Sequence, residues 1–381
     1  MKQKKVLLTG AQAASTAMKH VNPDVVSAFP ITPQTDIMMS FTQFVADGEV
    51  DTEMILVESE HSAMSGCVGA SAAGSRAMTA TSSAGLALMF EILGVASGTR
   101  LPIVMNVVDR ALSAPINIHC DHGDSMSCRD VGWIQIFSED AQEVYDNTIL
   151  GVRLAEKMML PAMIMQDGFI TSHCVQSMEL LDKKIVQKFI GCYKPKHCLL
   201  DVKHPVTMGP LELQDYYFET QWQRSRAMLD AKKEYLRIGK QLSRLTGRKY
   251  GYFEKYKMSD ARAVIVTMSS SAGTAKYVVD EMRRKGKKVG LLKIRLFRPF
   301  PYREVSEALK KIKSVAVLDR SESYGANPPL FSEIKNCAYN KNLYSCVFGL
   351  GGRDLFEKDI MNVFNSLLEN KAPEKFIGVR L

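Results

Sequence analysis

The sequence predicts an α/β protein of two units, residues 1–250 around a parallel sheet and residues 251–381 as a second, smaller α/β domain. Length is the first observation: 381 residues exceed one core at ~150 residues per domain. Composition is the second. With 46% hydrophobic and 24% charged residues the chain has the balance of an ordinary globular protein, which excludes disorder, a collagen-like fibre and a disulfide scaffold. The third is rhythm, because short apolar strands alternate with small-residue helical segments, the pattern of βαβ units.

In chain order, Val6–Leu8 reads as a strand and Gly10–Lys19 as an alanine-rich helix. Val25–Phe29 is a strand stopped by Pro30-Ile31-Thr32-Pro33, and Met54–Val57 is a third, followed by a helix from Ser59 to Gly74. Ala77–Thr81, Ile103–Val108 and Ala162–Gln166 are further strands. From about residue 205 the pattern changes: Pro205, Pro210 and Tyr216-Tyr217-Phe218 lead into a charged amphipathic stretch, Gln221–Leu245. Trp222, Met228, Leu229 and Leu236 give it a partial apolar face at helical spacing, so it reads as a connecting helix. The second unit then alternates strands (Ala263–Met268, Val289–Ile294, Ser314–Leu318) with helices (Ser271–Lys285, Tyr302–Ile312, Pro329–Ala338, Phe356–Glu369).

Charge is uneven. Residues 1–150 carry 8 basic and 17 acidic side chains, a net of −9, so with an overall charge of +8 the remainder carries +17. The basic residues are scattered along helices and no nucleic-acid motif accompanies them, so they read as solvated faces or partner contacts rather than a nucleic-acid surface. The longest near-candidate for a membrane span, Ala77–Phe90, has 14 residues against the ~20 needed. The N-terminal stretch lacks the apolar core and cleavage site of a signal peptide, so the expected location is the cytoplasm. Eight cysteines without a CxxC pair read as free thiols in a reducing compartment, and no iron–sulfur cluster is expected on this chain.

Parallel sheets bind ligands at the carboxyl ends of their strands. The loops of interest are therefore Pro30–Pro33, Glu58–Glu60, Ser82–Gly85 and Asp109–Asp124. The dinucleotide GxGxxG, the P-loop and the GxSxG elbow are all absent. Pro30-Ile31-Thr32-Pro33 is either a rigid turn or a hydroxyl fixed between two prolines. Glu58 and Glu60 straddle a helix start, where carboxylates complement the dipole with no further role or do chemistry. Asp109-Arg110 precedes a loop holding His119, Asp121, His122 and Asp124, whose spacing fits no standard metal pattern.

Taken together these segments resemble the alpha subunits of multi-subunit 2-oxoacid:ferredoxin oxidoreductases, most closely the pyruvate type. The resemblance runs the length of the chain. It rests on Phe29-Pro30-Ile31-Thr32-Pro33, Glu58-Ser59-Glu60-His61-Ser62-Ala63, Thr81-Ser82-Ser83-Ala84-Gly85-Leu86 and Asp167–His173. Leu112–Asn117 and Asp121–Asp124 mark the pyruvate type, and Arg298–Pro301, Asp319–Ser321 and Gly349–Asp354 extend the match through the second unit. Phe29 stands where the family usually has Tyr, and Ala11-Gln12 where it often has Asn-Glu.

The resemblance implies a pyrimidine-binding thiamine diphosphate domain over 1–250 and a transketolase C-terminal-like domain over 251–381. Diphosphate and Mg²⁺ would be held by a beta chain and 4Fe–4S clusters by other partners. Gln166-Asp167-Gly168 is the only near echo here of a metal–diphosphate motif. The implied partners are beta, gamma and delta subunits and ferredoxin, and the implied substrates pyruvate and coenzyme A. Glu60 matches the carboxylate that supports proton sharing with the aminopyrimidine, with Glu58 as runner-up. Arg110 matches the arginine holding the oxoacid carboxylate, and Thr32 a threonine bonded to substrate. Ser83 and Gly85 would line the cofactor, and Asp121 and His122 would shape the substrate loop. The alternatives are a branched-chain 2-oxoacid oxidoreductase alpha subunit and a non-catalytic scaffold subunit, which would need none of Thr32, Glu60 and Arg110.

Overall fold

A computed structural model describes residues 3–338 and 342–380. The chain opens with β1 (Lys4–Leu8), α1 (Gly10–Val21), β2 (Val25–Ala28), α2 (Thr35–Ala46), β3 (Glu53–Leu56), α3 (Glu60–Ala72) and β4 (Ala77–Thr81). It continues through α4 (Ser83–Leu88), α5 (Phe90–Gly98), β5 (Val104–Asp109), α6 (Gly123–Ser127), β6 (Ile134–Phe137), α7 (Ala141–Met158) and β7 (Ala162–Asp167). Then come β8 (Gln176–Leu180), α8 (Lys183–Ile190), the long α9 (Tyr217–Thr246) and β9 (Phe253–Tyr256). The remainder holds β10 (Ala263–Met268), α10 (Ser271–Arg284), β11 (Val289–Ile294), β12 (Leu296–Arg298), α11 (Tyr302–Leu309) and β13 (Ser314–Asp319). It closes with α12 (Pro329–Cys337), β14 (Asn342–Phe348), α13 (Glu357–Leu368) and β15 (Phe376–Ile377).

Seven strands form one sheet in the order β12-β6-β7-β5-β4-β2-β3, parallel except for β12, and six form a second, β15-β14-β13-β10-β11-β9, parallel except for β9. The central strands β4, β5 and β7 are buried along their whole length, as an interior parallel sheet requires. Helices α1, α2 and α7 pack on one face and α3 and α5 on the other, where the core merges with that of the second sheet. Local chemistry sets the helix starts. Thr9 and Gln12 cap α1 reciprocally, Ser59 accepts from the Ser62 N–H at α3 (3.2 Å), and Asp140 accepts from the Glu143 N–H at α7 (2.8 Å).

Three expectations are corrected. Val6–Leu8 is a strand but not one of the parallel sheet: β1 pairs antiparallel with β8 in a separate ribbon. The seven-stranded sheet is not built from the first unit alone, because β12 comes from beyond residue 250 and pairs with β6. The connecting helix buries Ala227, Ala231, Tyr235, Ile238 and Leu242, while Trp222 and Leu229 are exposed at 64% and 60%. The stripe of small alanines with Tyr235, Ile238 and Leu242 lies against α7, Met228 and Leu236 pack half-buried beside it, and Trp222 and Leu229 face outward.

The two sheets are bolted together by a buried ion network. Glu143 on α7 accepts from Lys293 Nζ (2.7 Å) and Arg295 Nη2 (2.5 Å), and Lys293 also reaches Glu139 and Glu254. Burial alone would raise the Glu143 carboxyl, but the two cations outweigh it and hold it well below the carboxylate range. All eight cysteines are free thiols. Among the described residues no helix is long and apolar enough to cross a membrane.

Candidate active site

Strands β2, β3, β4, β5 and β7 run parallel, so the loops after them share one edge. Thr32 follows β2, Glu60 follows β3 and opens α3, Ser83 and Gly85 follow β4, and Arg110 follows β5. Glu60 is 6% exposed, and among the described residues no donor reaches its carboxylate. Glu58, two residues earlier, is exposed and accepts from Ser62 Oγ, which holds its carboxyl below the ordinary value. The two glutamates of one motif therefore live in opposite environments. Gly85 explains the buried one: a Cβ there would lie 2.6 Å from Glu60 Oε1 and 2.6 Å from Thr81 Oγ1, and the Thr81 hydroxyl is itself buried without a partner.

Arg110 is 7% exposed and fixed by two carbonyls, donating from Nε to Asn117 O (3.0 Å) and from Nη1 to Thr32 O (2.8 Å). The exposed Thr32 hydroxyl thus sits on a segment that the arginine holds in place. Asp124 Oδ2 accepts from the backbone N–H of both Ser83 (2.8 Å) and Arg110 (3.0 Å). Burial pushes the Asp124 carboxyl up to about 7 against the lowering effect of those N–H bonds. Contacts therefore run from Glu60 through Gly85 and Ser83 to Asp124, Arg110 and Thr32. Asn117 and Asp124 are the supports that sequence reasoning assigned no role; only the polar density of their loop hinted at one.

Asp121 and His122 do not join this line. Asp121 accepts from the Gly123 N–H (2.6 Å), and burial raises its carboxyl. His122 is 2% exposed, with its Nε2 2.7 Å from Asp167 Oδ1. Asp167 also accepts from the Ser270 N–H (3.2 Å) and hydroxyl and lies 3.8 Å from Arg320 Nε. Burial opposes ionisation of Asp167, but His122 and Arg320 hold its carboxyl well below the usual range. Behind them Asp109 has neither oxygen hydrogen-bonded, and burial together with Asp124 and Asp167 drives its carboxyl well up. Cys120, His122 and Asp167 come close enough to hold a cation, yet Asp167 is engaged by His122, Ser270 and a guanidinium, which marks an ion-pair cluster. The loop is closed from the second sheet's side by the Gly352 N–H bond to Cys120 O (2.8 Å) and by Asn117 Nδ2 to Gly351 O (3.2 Å).

A buried carboxylate without a protein donor, an orphaned threonine hydroxyl and a glycine whose Cβ would fill the gap between them suit a nitrogen heterocycle laid against Glu60. Residues 16–239 match the family described as pyruvate flavodoxin/ferredoxin oxidoreductase, thiamine diphosphate-binding. Residues 261–360 match pyruvate:ferredoxin oxidoreductase core domain II. The pyruvate synthase subunit PorA of Thermotoga maritima is 53% identical over 99% of this chain and 98% of its own length. The PorA of Methanocaldococcus jannaschii is 48% identical over 94% of each chain, and the ketoisovalerate oxidoreductase subunit VorA of Pyrococcus abyssi 42% over 93% and 91%. Among solved structures, the 2-oxoglutarate:ferredoxin oxidoreductase of Magnetococcus marinus has a TM-score of 0.75 at 20% identity, covering 96% of this chain and 65% of that one. A split-gene transketolase has a TM-score of 0.58 at 10% identity, covering 96% and 99%. These two likenesses show the fold.

Proposed function

Because this chain belongs to the pyruvate flavodoxin/ferredoxin oxidoreductase family, with a thiamine diphosphate-binding domain, we propose that it is the alpha subunit of a pyruvate:ferredoxin oxidoreductase. The complex converts pyruvate, coenzyme A and oxidised ferredoxin to acetyl-CoA, CO₂ and reduced ferredoxin, reversibly. The observation that carries the site is Glu60, buried, without a protein donor, and on the same sheet edge as Arg110 and Thr32. Thiamine diphosphate, when bound, supplies a carbon nucleophile for the 2-oxo group and a sink for the electrons left by decarboxylation.

The chain's own residues do the rest. Glu60 holds a proton shared with a ring nitrogen of the pyrimidine, and burial keeps water from competing for it. Gly85 leaves room for the ring, and Ser83 fixes the turn that carries it. Arg110, locked by the Thr32 and Asn117 carbonyls, turns its remaining N–H groups to the oxoacid carboxylate as charge-assisted donors. The Thr32 hydroxyl donates to the substrate. We place the boundary between the pyrimidine-binding and transketolase C-terminal-like domains near residue 250. A beta chain would hold the diphosphate and Mg²⁺, and gamma and delta chains the 4Fe–4S clusters. The exposed apolar edge at β3, with Leu56 72% and nearby Met39 66% exposed, supports a partner seated beside the site.

The test is anaerobic viologen-dye reduction by the complex that co-purifies with this chain, dependent on pyruvate and coenzyme A, with and without added thiamine diphosphate. Cofactor-dependent turnover of pyruvate is expected. Turnover confined to branched-chain oxoacids would replace the substrate assignment, and no turnover of any oxoacid by a cofactor-loaded complex would overturn the reading.

A further inference from the structure

The Glu60 and Arg110 loops leave the carboxyl edge of the sheet, and a second feature lies at the opposite edge. There the last turn of α3, the turn before β5 and the turn before β7 enclose a cavity of about 550 Å³ beneath residues 193–209. Small-molecule sites span roughly 300–1,000 Å³. The charged lining has one sign: Arg100 inside and Lys196 at the mouth, with no acidic residue among those lining it.

Arg100 adopts a left-handed φ of 62° and donates from Nε to Met159 O (2.7 Å) and from Nη2 to Met158 O (2.8 Å). Those bonds close the carboxyl end of α7, where a cation meets the negative end of the helix dipole. They leave Nη1 unused, and among the described residues no carboxylate pairs with the guanidinium. Burial lowers its pKa and no acid offsets the effect. A half-buried guanidinium with a free N–H and no carboxylate beside it favours an anion that reaches it. Leu101, Met159, Val206 and Met208 supply an apolar wall for the rest of such a ligand.

We propose that this cavity is a binding site for a small phosphate monoester, its phosphate between Arg100 and Lys196 and its organic body along the apolar wall. A dianion matches a guanidinium and an ammonium better than a single carboxylate does. The site is about 20 Å from the Arg110 edge, the length of six-residue β5 at ~3.3 Å per residue, so a ligand there acts on the chain at a distance from the chemistry.

The test is isothermal titration of adenosine monophosphate, and separately of inorganic phosphate, into the assembled complex. One saturable adenosine monophosphate site per copy of this chain is expected, weaker by about tenfold to a hundredfold in Arg100→Gln and in Lys196→Glu. Lys196 is exposed, so its variant remains informative if Arg100→Gln loosens the end of α7. Inorganic phosphate is expected to bind more weakly to the same site. No binding of adenosine monophosphate would overturn the proposal. So would binding that both variants leave unchanged, which would put the ligand elsewhere, or inorganic phosphate binding as tightly, which would remove the role of the apolar wall.

Discussion

Glu58 and Glu60 differ in nothing the sequence shows except position, yet one is a solvated cap partner and the other a buried carboxylate against Gly85. Replacing Glu60 by alanine should lower turnover by at least about 100-fold, the span general acid–base catalysis covers, while Glu58→Ala should leave it nearly unchanged. Steady-state rates of the two variants in assembled complex check the assignment, and equal losses would refute it. Arg110→Ala should act chiefly through KM for pyruvate, costing about one to two decades in kcat/KM for one lost charge-assisted contact. The motif resemblance singled out Glu60, Arg110, Thr32, Ser83 and Gly85, whose loops meet on one edge. Asp124, named only as one of the loop's polar residues, was given no role because that role is a contact: it ties Ser83, 41 residues away, to Arg110, 14 away, and no spacing rule encodes that pair.

At the scale of elements, strands with strong apolar character and capped helices were legible, since β4, β10 and β11 fall where the apolar runs lie. Helix α7 was not, because its buried stretch carries Glu143, Asp146, Asn147 and Thr148 among its apolar residues, so polarity does not mark its outer face. Pairing partners were not legible either, which is why β1 was placed in the wrong sheet. The clasp between the loop after β5 and residues 349–352 belongs to this scale. Gly351 has a φ of 63°, and a Cβ there would lie 2.5 Å from Asn117 Nδ2, the side chain of the residue whose carbonyl holds Arg110. Gly351→Ala should therefore destabilise the chain by about 1–3 kcal/mol and raise KM for the oxoacid together with it. Chemical denaturation and substrate titration on the same variant would reveal whether the clasp reaches the arginine.

Over the whole molecule, stability rests on buried charge that one half lends the other. Lys293→Met leaves Glu143, Glu139 and Glu254 short of a cation and should cost about 3–5 kcal/mol in unfolding free energy. The pH response has two arms. Glu143 and Asp167 are held below their unfolded values, so their stabilisation is present above about pH 4 and fades as pH falls through the folded values. Asp124 and Asp319 are pushed up to about 7 by burial, so their contribution is complete below about pH 4 and is lost as pH rises through 7. Thermal unfolding should therefore peak at mildly acidic pH and decline toward pH 8, with a shallower decline in Asp124→Asn. A melting temperature flat from pH 5 to 8 would contradict this. One residue, Arg295, separates β11 from β12, yet the two strands belong to different sheets. A gene divided near codon 250 would hand the N-terminal product a β6 with a raw seam, ready to stick to its own copies, and the C-terminal product a stray ribbon with nowhere to lie. Such fragments would have to be made together and mend each other while folding, so the molecule is stitched across its midline rather than assembled from separable parts.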